Sequence, residues 1–210
     1  MRDQTRDVAP GAVHMPRRLS ADEQRAVAEL CLTLGGQEAG FYRPVARGGH
    51  PMSVQMLCLG RHWNARRYQY ERERSDVDGR PVPALPEELG ALARRIAEEA
   101  GFTFRPDVCL VNLYGADSRM GLHRDQDESA ESLERGAPVV SLSIGDTARF
   151  LFGGLRRRDP VEVVWLASGD AFVFGGPARL RYHGVTRIMP GTGPSDIGFA
   201  GRLNLTFREY

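Results

Sequence analysis

Residues 137–154 read APVVSLSIGDTARFLFGG. Two short runs of β-branched, aromatic and aliphatic residues, 139–144 and 148–152, stand on either side of Gly145-Asp146. Short apolar runs bounded by turn residues are the pattern of adjacent strands. The same texture recurs at 108–114, 161–166, 171–174, 180–185 and 203–208, with glycine, proline and aspartate in between. No helical period separates these runs, so they predict an antiparallel double-sheet or closed architecture such as a jelly roll.

Upstream of Asp107 the periodicity is helical. Ser20-Ala21-Asp22-Glu23 reads as a capping box, followed by Val27, Leu30, Cys31 and Leu34 on one face and Gly35-Gly36 as the stop. A second helix follows Pro86, with Leu89, Leu92, Ala93 and Ile96 aligned and Gly101 beyond. Residues 75–86 and 189–198 read as loops, and residues 1–10 as a poorly ordered tail. The expected fold is therefore α+β but mainly β. One domain over 11–210 holds a catalytic jelly roll at 107–210, two buttressing N-terminal helices, and a lid at 47–75.

A chain of 210 residues with 41% hydrophobic and 26% charged residues suits one such domain. The net charge of +1 announces no overall basic field, so a polyanion would have to meet a local patch. All 28 basic residues are arginine, which excludes lysine Schiff-base chemistry and a P-loop. Cys31, Cys58 and Cys109 share no ligand spacing and read as reduced, half-buried thiols. With no apolar run of about 18 residues and no signal-peptide h-region, a cytoplasmic monomer is expected, with no membrane contact.

Chemistry concentrates in His123-Arg124-Asp125, where positions i and i+2 would share a face if this stretch is a strand. His183 stands in another strand-like stretch, Arg181-Tyr182-His183-Gly184. Two histidines and one carboxylate form the facial triad of non-haem Fe(II) oxygenases. In isolation, the pattern favours the blander reading, with Asp125 a surface charge and His183 a satisfied core histidine. The C-terminal RLNLTFR, 202–208, weighs against that reading. Arg202, Asn204, Thr206 and Arg208 alternate with Leu203, Leu205 and Phe207. Either the arginine face is outward and solvated, or it lines a barrel mouth where two guanidiniums grip a dicarboxylate. Asn112 and Tyr114 form a second polar pair on one face of an otherwise apolar run.

The segments NLYGADSRMGLHRDQDE, APVVSLSIGDTARFLFGGLRRRDP, LASGDAFVFGGPARLRYHGV and RLNLTFRE resemble the AlkB family of Fe(II)/2-oxoglutarate-dependent nucleic-acid dealkylating dioxygenases. The resemblance covers the chain from about Met52 and implies a double-stranded β-helix. It implies that His123, Asp125 and His183 bind Fe(II), and that Asn112, Tyr114, Arg202, Asn204 and Arg208 hold 2-oxoglutarate, with O2 as the second co-substrate. It also matches Asp127 to a carboxylate that reads the exocyclic amine of a damaged base, and Arg157 to a substrate-side arginine.

The segment MSVQMLCLGRHWNARRYQY, 52–70, interleaves arginines with aromatics, as single-stranded nucleic-acid surfaces do. Taken alone it favours a charged hairpin whose aromatics cover the core edge. The resemblance makes it a nucleotide-recognition lid, with Trp63 stacking on a flipped base, Tyr68 bonding a phosphate and Met56 near the pocket. Arg72 and Arg74 lie beyond the motif and read as solvated. The implied activity is demethylation of 1-methyladenine and 3-methylcytosine in single-stranded or damaged DNA, with RNA also open. The rivals are the same chemistry on modified tRNA or a protein side chain, and a non-catalytic cupin-like metal or nucleic-acid-binding module.

Overall fold

The computed structural model describes residues 5–210. The strands, in chain order, are β1 (Arg6–Ala9), β2 (Ala12–Met15), β3 (Gln55–Leu59), β4 (His62–Asn64), β5 (Gln69–Glu71), β6 (Val108–Tyr114) and β7 (Met120–His123). They continue with β8 (Val139–Gly145), β9 (Thr147–Phe152), β10 (Glu162–Leu166), β11 (Ala171–Phe174), β12 (His183–Met189) and β13 (Arg202–Arg208). Three helices, α1 (Ala21–Gly35), α2 (Glu87–Glu99) and the short α3 (Ala130–Glu134), complete the described chain. A seven-stranded sheet runs β1-β2-β11-β8-β13-β6-β3 and a four-stranded sheet runs β10-β9-β12-β7, while β4 and β5 form a separate hairpin. Every strand pair is antiparallel, as expected for a jelly roll.

Two apolar layers fix this arrangement. Helices α1 and α2 lay Val27, Ala28, Cys31, Leu89, Ala93 and Ile96 on the outer face of the large sheet, against Leu142, Leu203, Leu205 and Phe207. Between the sheets, Phe150, Phe152, Phe172 and Phe174 form an aromatic stack with centroid separations of 5.0–6.2 Å. Helix α1 begins as expected, with Ser20 Oγ accepting from the Glu23 amide and Glu23 accepting from the Ser20 amide.

The alternation along β13 decides between its two readings. Its leucines and phenylalanine pack outward against the helices, so Arg202, Asn204, Thr206 and Arg208 point between the sheets and are all buried. On the neighbouring β8, Ser141 and Ser143 share that inner side and bond Asn204 and Arg202. Along β13 and the centre of β8 the large sheet thus has an apolar back and a polar front.

Several expectations change. Residues 6–9 of the expected tail form β1 at the edge of the large sheet, and residues 1–4 lie outside the described residues. The roll does not begin at Asp107, because β1, β2 and β3 also belong to the large sheet. Part of the expected lid segment, Gln55–Leu59, is therefore a strand of the large sheet, and the free-standing part is the β4–β5 hairpin. The strand expected at 180–185 starts only at His183, because a 3₁₀ turn at Gly176–Ala178 delays it. All three cysteines are fully buried, not half-buried. Arg74 is also buried, beside Asp78 and over the Tyr42 ring, while Arg72 is exposed.

Leu205, fully buried, and Trp165, 48% exposed, test which side of each sheet is inside. Leu205→Ala should cost about 2–5 kcal/mol and Trp165→Ala no more than roughly 0.5 kcal/mol in urea unfolding. Equal costs would contradict the assigned faces.

Candidate active site

His123 ends β7 and His183 opens β12, and the two residues are directly paired across the strands. Their ring centroids are 4.5 Å apart. Gly184 permits this approach, since a Cβ there would lie 2.7 Å from the Met120 carbonyl oxygen. Asp125 lies past the end of β7, so the expected strand spacing is not what aligns it with His123. Instead the chain turns out of the sheet and swings the carboxylate beneath both imidazoles. His123 Nε2 stands 3.7 Å from Asp125 Oδ1 and His183 Nε2 3.8 Å from Asp125 Oδ2. One ligand atom from each residue lies within 4.8 Å of the others, a spacing suited to one metal ion.

The rings are prepared for that role. His123 Nδ1 lies 2.9 Å from the Gly121 carbonyl and His183 Nδ1 3.1 Å from the Arg181 carbonyl. A proton on each Nδ1 leaves both Nε2 lone pairs facing Asp125. Burial, then the neighbouring His123, pushes His183 down to about 4, so it offers a neutral imidazole. Burial alone would raise the Asp125 carboxyl. The Arg208 guanidinium, aided by the two histidines and Arg179, outweighs burial and holds it well below the usual carboxylate range.

Arg208 reaches Asp125 Oδ2 through Nη2 at 2.7 Å and Nε at 3.1 Å, and Nε also stands 3.1 Å from Glu128 Oε1. Only Nη1 is left without a partner among the described residues. Arg208 therefore does not present a whole fork to an acid, contrary to expectation. Arg202 does. It is 1% exposed, one Nη2 bonds Ser143 Oγ at 2.9 Å, and Nε and Nη1 have no partner among the described residues. It sits over the Tyr114 ring, one step deeper than the cleft wall. Burial is the main reason that Arg202 falls to about 10 and the Tyr114 phenol rises to about 12.

Asn112 faces Asn204 across the strands, and its Oδ1 is likewise buried and unpartnered. The Asn204 amide differs from expectation. Its nitrogen already donates to Ser141 Oγ at 2.8 Å and to the Leu142 carbonyl at 3.0 Å, and its oxygen accepts from Thr206. Asn204 orders this floor and presents no free donor.

Asn112, Tyr114, Asn204, Arg208 and the triad line one cleft of about 520 Å³. All five expected substrate-side residues, Met56, Trp63, Tyr68, Asp127 and Arg157, line it as well. Trp63 Nε1 donates to Asp127 Oδ2 at 2.8 Å, and the Tyr68 ring meets Trp63 edge-on at 5.9 Å. Tyr68 is 50% exposed at the hairpin tip, with φ of 55°. Asn64 holds that tip by accepting from the Arg66 and Arg67 amides. Arg157 donates to the Leu122 carbonyl, next to His123. Burial, opposed by the Trp63 bond, raises the Asp127 carboxyl. Sequence reasoning missed Glu128 and Arg179, both within quoted motifs, because their significance lies in a buried contact between distant segments.

The family described as the 2OG-Fe(II) oxygenase superfamily matches residues 11–208. The chain is 43% identical to the alpha-ketoglutarate-dependent dioxygenase AlkB homolog of Caulobacter vibrioides, over 96% of this chain and 89% of that one. It is 39% identical to the alpha-ketoglutarate-dependent dioxygenase AlkB of Escherichia coli, over 82% of this chain and 78% of that one. The DNA N(6)-methyladenine demethylase ALKBH1C of Arabidopsis thaliana is 37% identical over 97% of this chain. The chain spans about half the length of that plant relative (49%). The solved structure of OsALKBH1 superposes with a TM-score of 0.92 at 36% identity, covering 99% of this chain and 100% of the other. The chain belongs to the 2OG-Fe(II) oxygenase superfamily, among its AlkB homologues.

Fe(II) and 2-oxoglutarate are the metal and co-substrate of this superfamily. The residues present fit both: a His-Asp-His set with an anionic carboxylate for the metal, and beside it buried guanidinium nitrogens without partners among the described residues. The division between the arginines gives a test. Arg202→Ala should raise 2-oxoglutarate half-saturation roughly 30- to 100-fold, the loss of a charge-assisted contact, with metal affinity unchanged. Arg208→Ala should weaken metal and co-substrate together. Equal and selective effects of both variants on 2-oxoglutarate would contradict the division.

Proposed function

We propose that the chain oxidatively demethylates alkylated nucleobases, with 1-methyladenine and 3-methylcytosine in single-stranded DNA as principal substrates and RNA as a further one. The observation that carries this reading is the shared cleft. The metal-ligand set forms its floor, and an aromatic ring bonded to a carboxylate, Trp63 to Asp127, forms the wall above. A flipped base needs a stacking face and a polar group on its pairing edge, and these two side chains supply both. Both lesions carry a positive charge on the base, which the Asp127 carboxylate favours electrostatically. When bound, Fe(II) with 2-oxoglutarate and O2 supplies the oxidant for one C–H hydroxylation, with succinate and CO2 as co-products. The N-hydroxymethyl group then leaves as formaldehyde. The protein's part is to hold the methyl over the triad and to exclude competing geometries. We propose that His123, Asp125 and His183 ligate the metal, that Arg202, Tyr114, Asn112 and Arg208 Nη1 hold the co-substrate, and that the enzyme works as a cytoplasmic monomer. Among the described residues no helix is long and apolar enough to cross a membrane.

N6-methyladenine in DNA is a second reading, supported by the printed activity of the plant relative. Its methyl lies on the same edge that Asp127 would read, so the pocket does not discriminate by position alone.

Formaldehyde release from oligonucleotides carrying 1-methyladenine, 3-methylcytosine, N6-methyladenine or 3-methylthymine, as DNA and as RNA, tests these readings. Trp63→Ala should reduce all substrates alike, since stacking contributes about 1–3 kcal/mol whatever the base. Asp127→Ala should reduce the amine-bearing lesions more than 3-methylthymine, which presents a carbonyl there. Repair of all four at parental rates by both variants would point to a substrate other than a nucleobase.

A further inference from the structure

Asp125 lies outside the sheet, so something other than strand pairing must hold it. Arg208 fixes its carboxylate, but the main chain is held from elsewhere. Arg179 follows the 3₁₀ turn at Gly176–Ala178, four positions before His183, and its side chain is 3% exposed. Arg179 Nη1 donates to the Asp125 carbonyl oxygen at 2.7 Å, and Nη2 donates to Glu128 Oε2 at 2.8 Å. The other Glu128 oxygen stands 3.1 Å from Arg208 Nε and accepts from the Tyr70 hydroxyl at 3.4 Å. Tyr70 lies on β5, directly opposite Trp63 on β4. Two arginines and two carboxylates thus form one closed, buried set. It ties together the loop carrying Asp125, the segment leading into His183, the strand carrying Arg208 and the lid hairpin.

We infer that Arg179, acting through Glu128, is a positioning residue. It sets Asp125 at the metal and docks the lid over it through Tyr70. This rests on the assignment of the triad as the metal site. A guanidinium has two parallel donors, so one side chain can hold a main-chain carbonyl and a carboxylate in fixed relation. An ammonium is a point charge and cannot hold both in the same way. The lid is anchored to the same loop twice, by Trp63 on Asp127 and by Tyr70 on Glu128. Small shifts of that loop therefore reach both the metal ligand and the base wall.

The test measures Co(II) affinity of the full chain by intrinsic tryptophan fluorescence, without oxygen, together with thermal melting. Arg179→Lys should weaken Co(II) roughly 10- to 100-fold, the usual scale for an outer-shell partner of a metal ligand. Arg179→Gln leaves Glu128 buried without its partner and should lower the melting temperature as well. The double variant Arg179→Gln/Glu128→Gln removes both charges, so its melting temperature should recover while its Co(II) affinity does not. Tyr70→Phe should leave Co(II) affinity intact but raise KM for methylated oligonucleotide, with kcat little changed. Recovery of Co(II) affinity together with melting temperature in the double variant would reduce Arg179 to a structural role and overturn the inference. So would parental Co(II) affinity in Arg179→Lys. Asp125→Ala run in parallel separates the two levels: if it too binds Co(II) like the parent, the triad assignment fails, and if it alone loses binding, only the positioning role fails.

Discussion

The contact between the Asp125 carboxylate and the Arg208 guanidinium is the constraint around which the site is organised. Two buried charges, 2.7 Å apart at closest approach, come from segments that share no strand pairing. Breaking such a pair typically costs about 3–5 kcal/mol, because the remaining charge is left buried and unpaired. The same contact keeps the Asp125 carboxyl deprotonated, so a metal ion meets an anionic ligand without first displacing a proton. It also occupies most of Arg208, whereas Arg202 keeps Nε and Nη1 open among the described residues.

The rest of the architecture makes that contact possible. Strand β13 separates its apolar and polar residues cleanly, so helices α1 and α2 can cover one face while the other carries guanidiniums between the sheets. Ser141 and Ser143 on β8 give those polar side chains partners that a fully apolar strand would deny them. The smaller sheet contributes the two imidazoles, and the aromatic stack around Phe150 and Phe172 holds the two sheets together. The site is a seam between the sheets, with the β4–β5 hairpin across its mouth.

The regular parts of this design were legible in the sequence. Runs such as 108–114 and 171–174 match their strands, because period and turn residues suffice to define a strand. The triad and the residues of the cleft wall were legible from motif and resemblance, and the structure brings them into one cleft. What sequence patterns could not show were features fixed by distant contacts. Strands β1 and β2 are four residues each and gain their order from pairing at the sheet edge. Asp125 sits where a clamp, not a strand, places it. Arg74 looks like any surface arginine until the turn at 74–79 closes over it. Arg202 and Arg208 look equivalent in RLNLTFR, and only the presence of Asp125 and Glu128 beside one of them makes them differ.

If one cleft couples 2-oxoglutarate decarboxylation to removal of a base methyl, the two products form together. The most direct measurement is the ratio of succinate to formaldehyde during turnover of a 1-methyladenine oligonucleotide, compared with the same oligonucleotide without the methyl. Coupling gives a ratio near one with the lesion and only slow succinate formation without it. Succinate formed at the same rate on both oligonucleotides, with no formaldehyde from the methylated one, would contradict it.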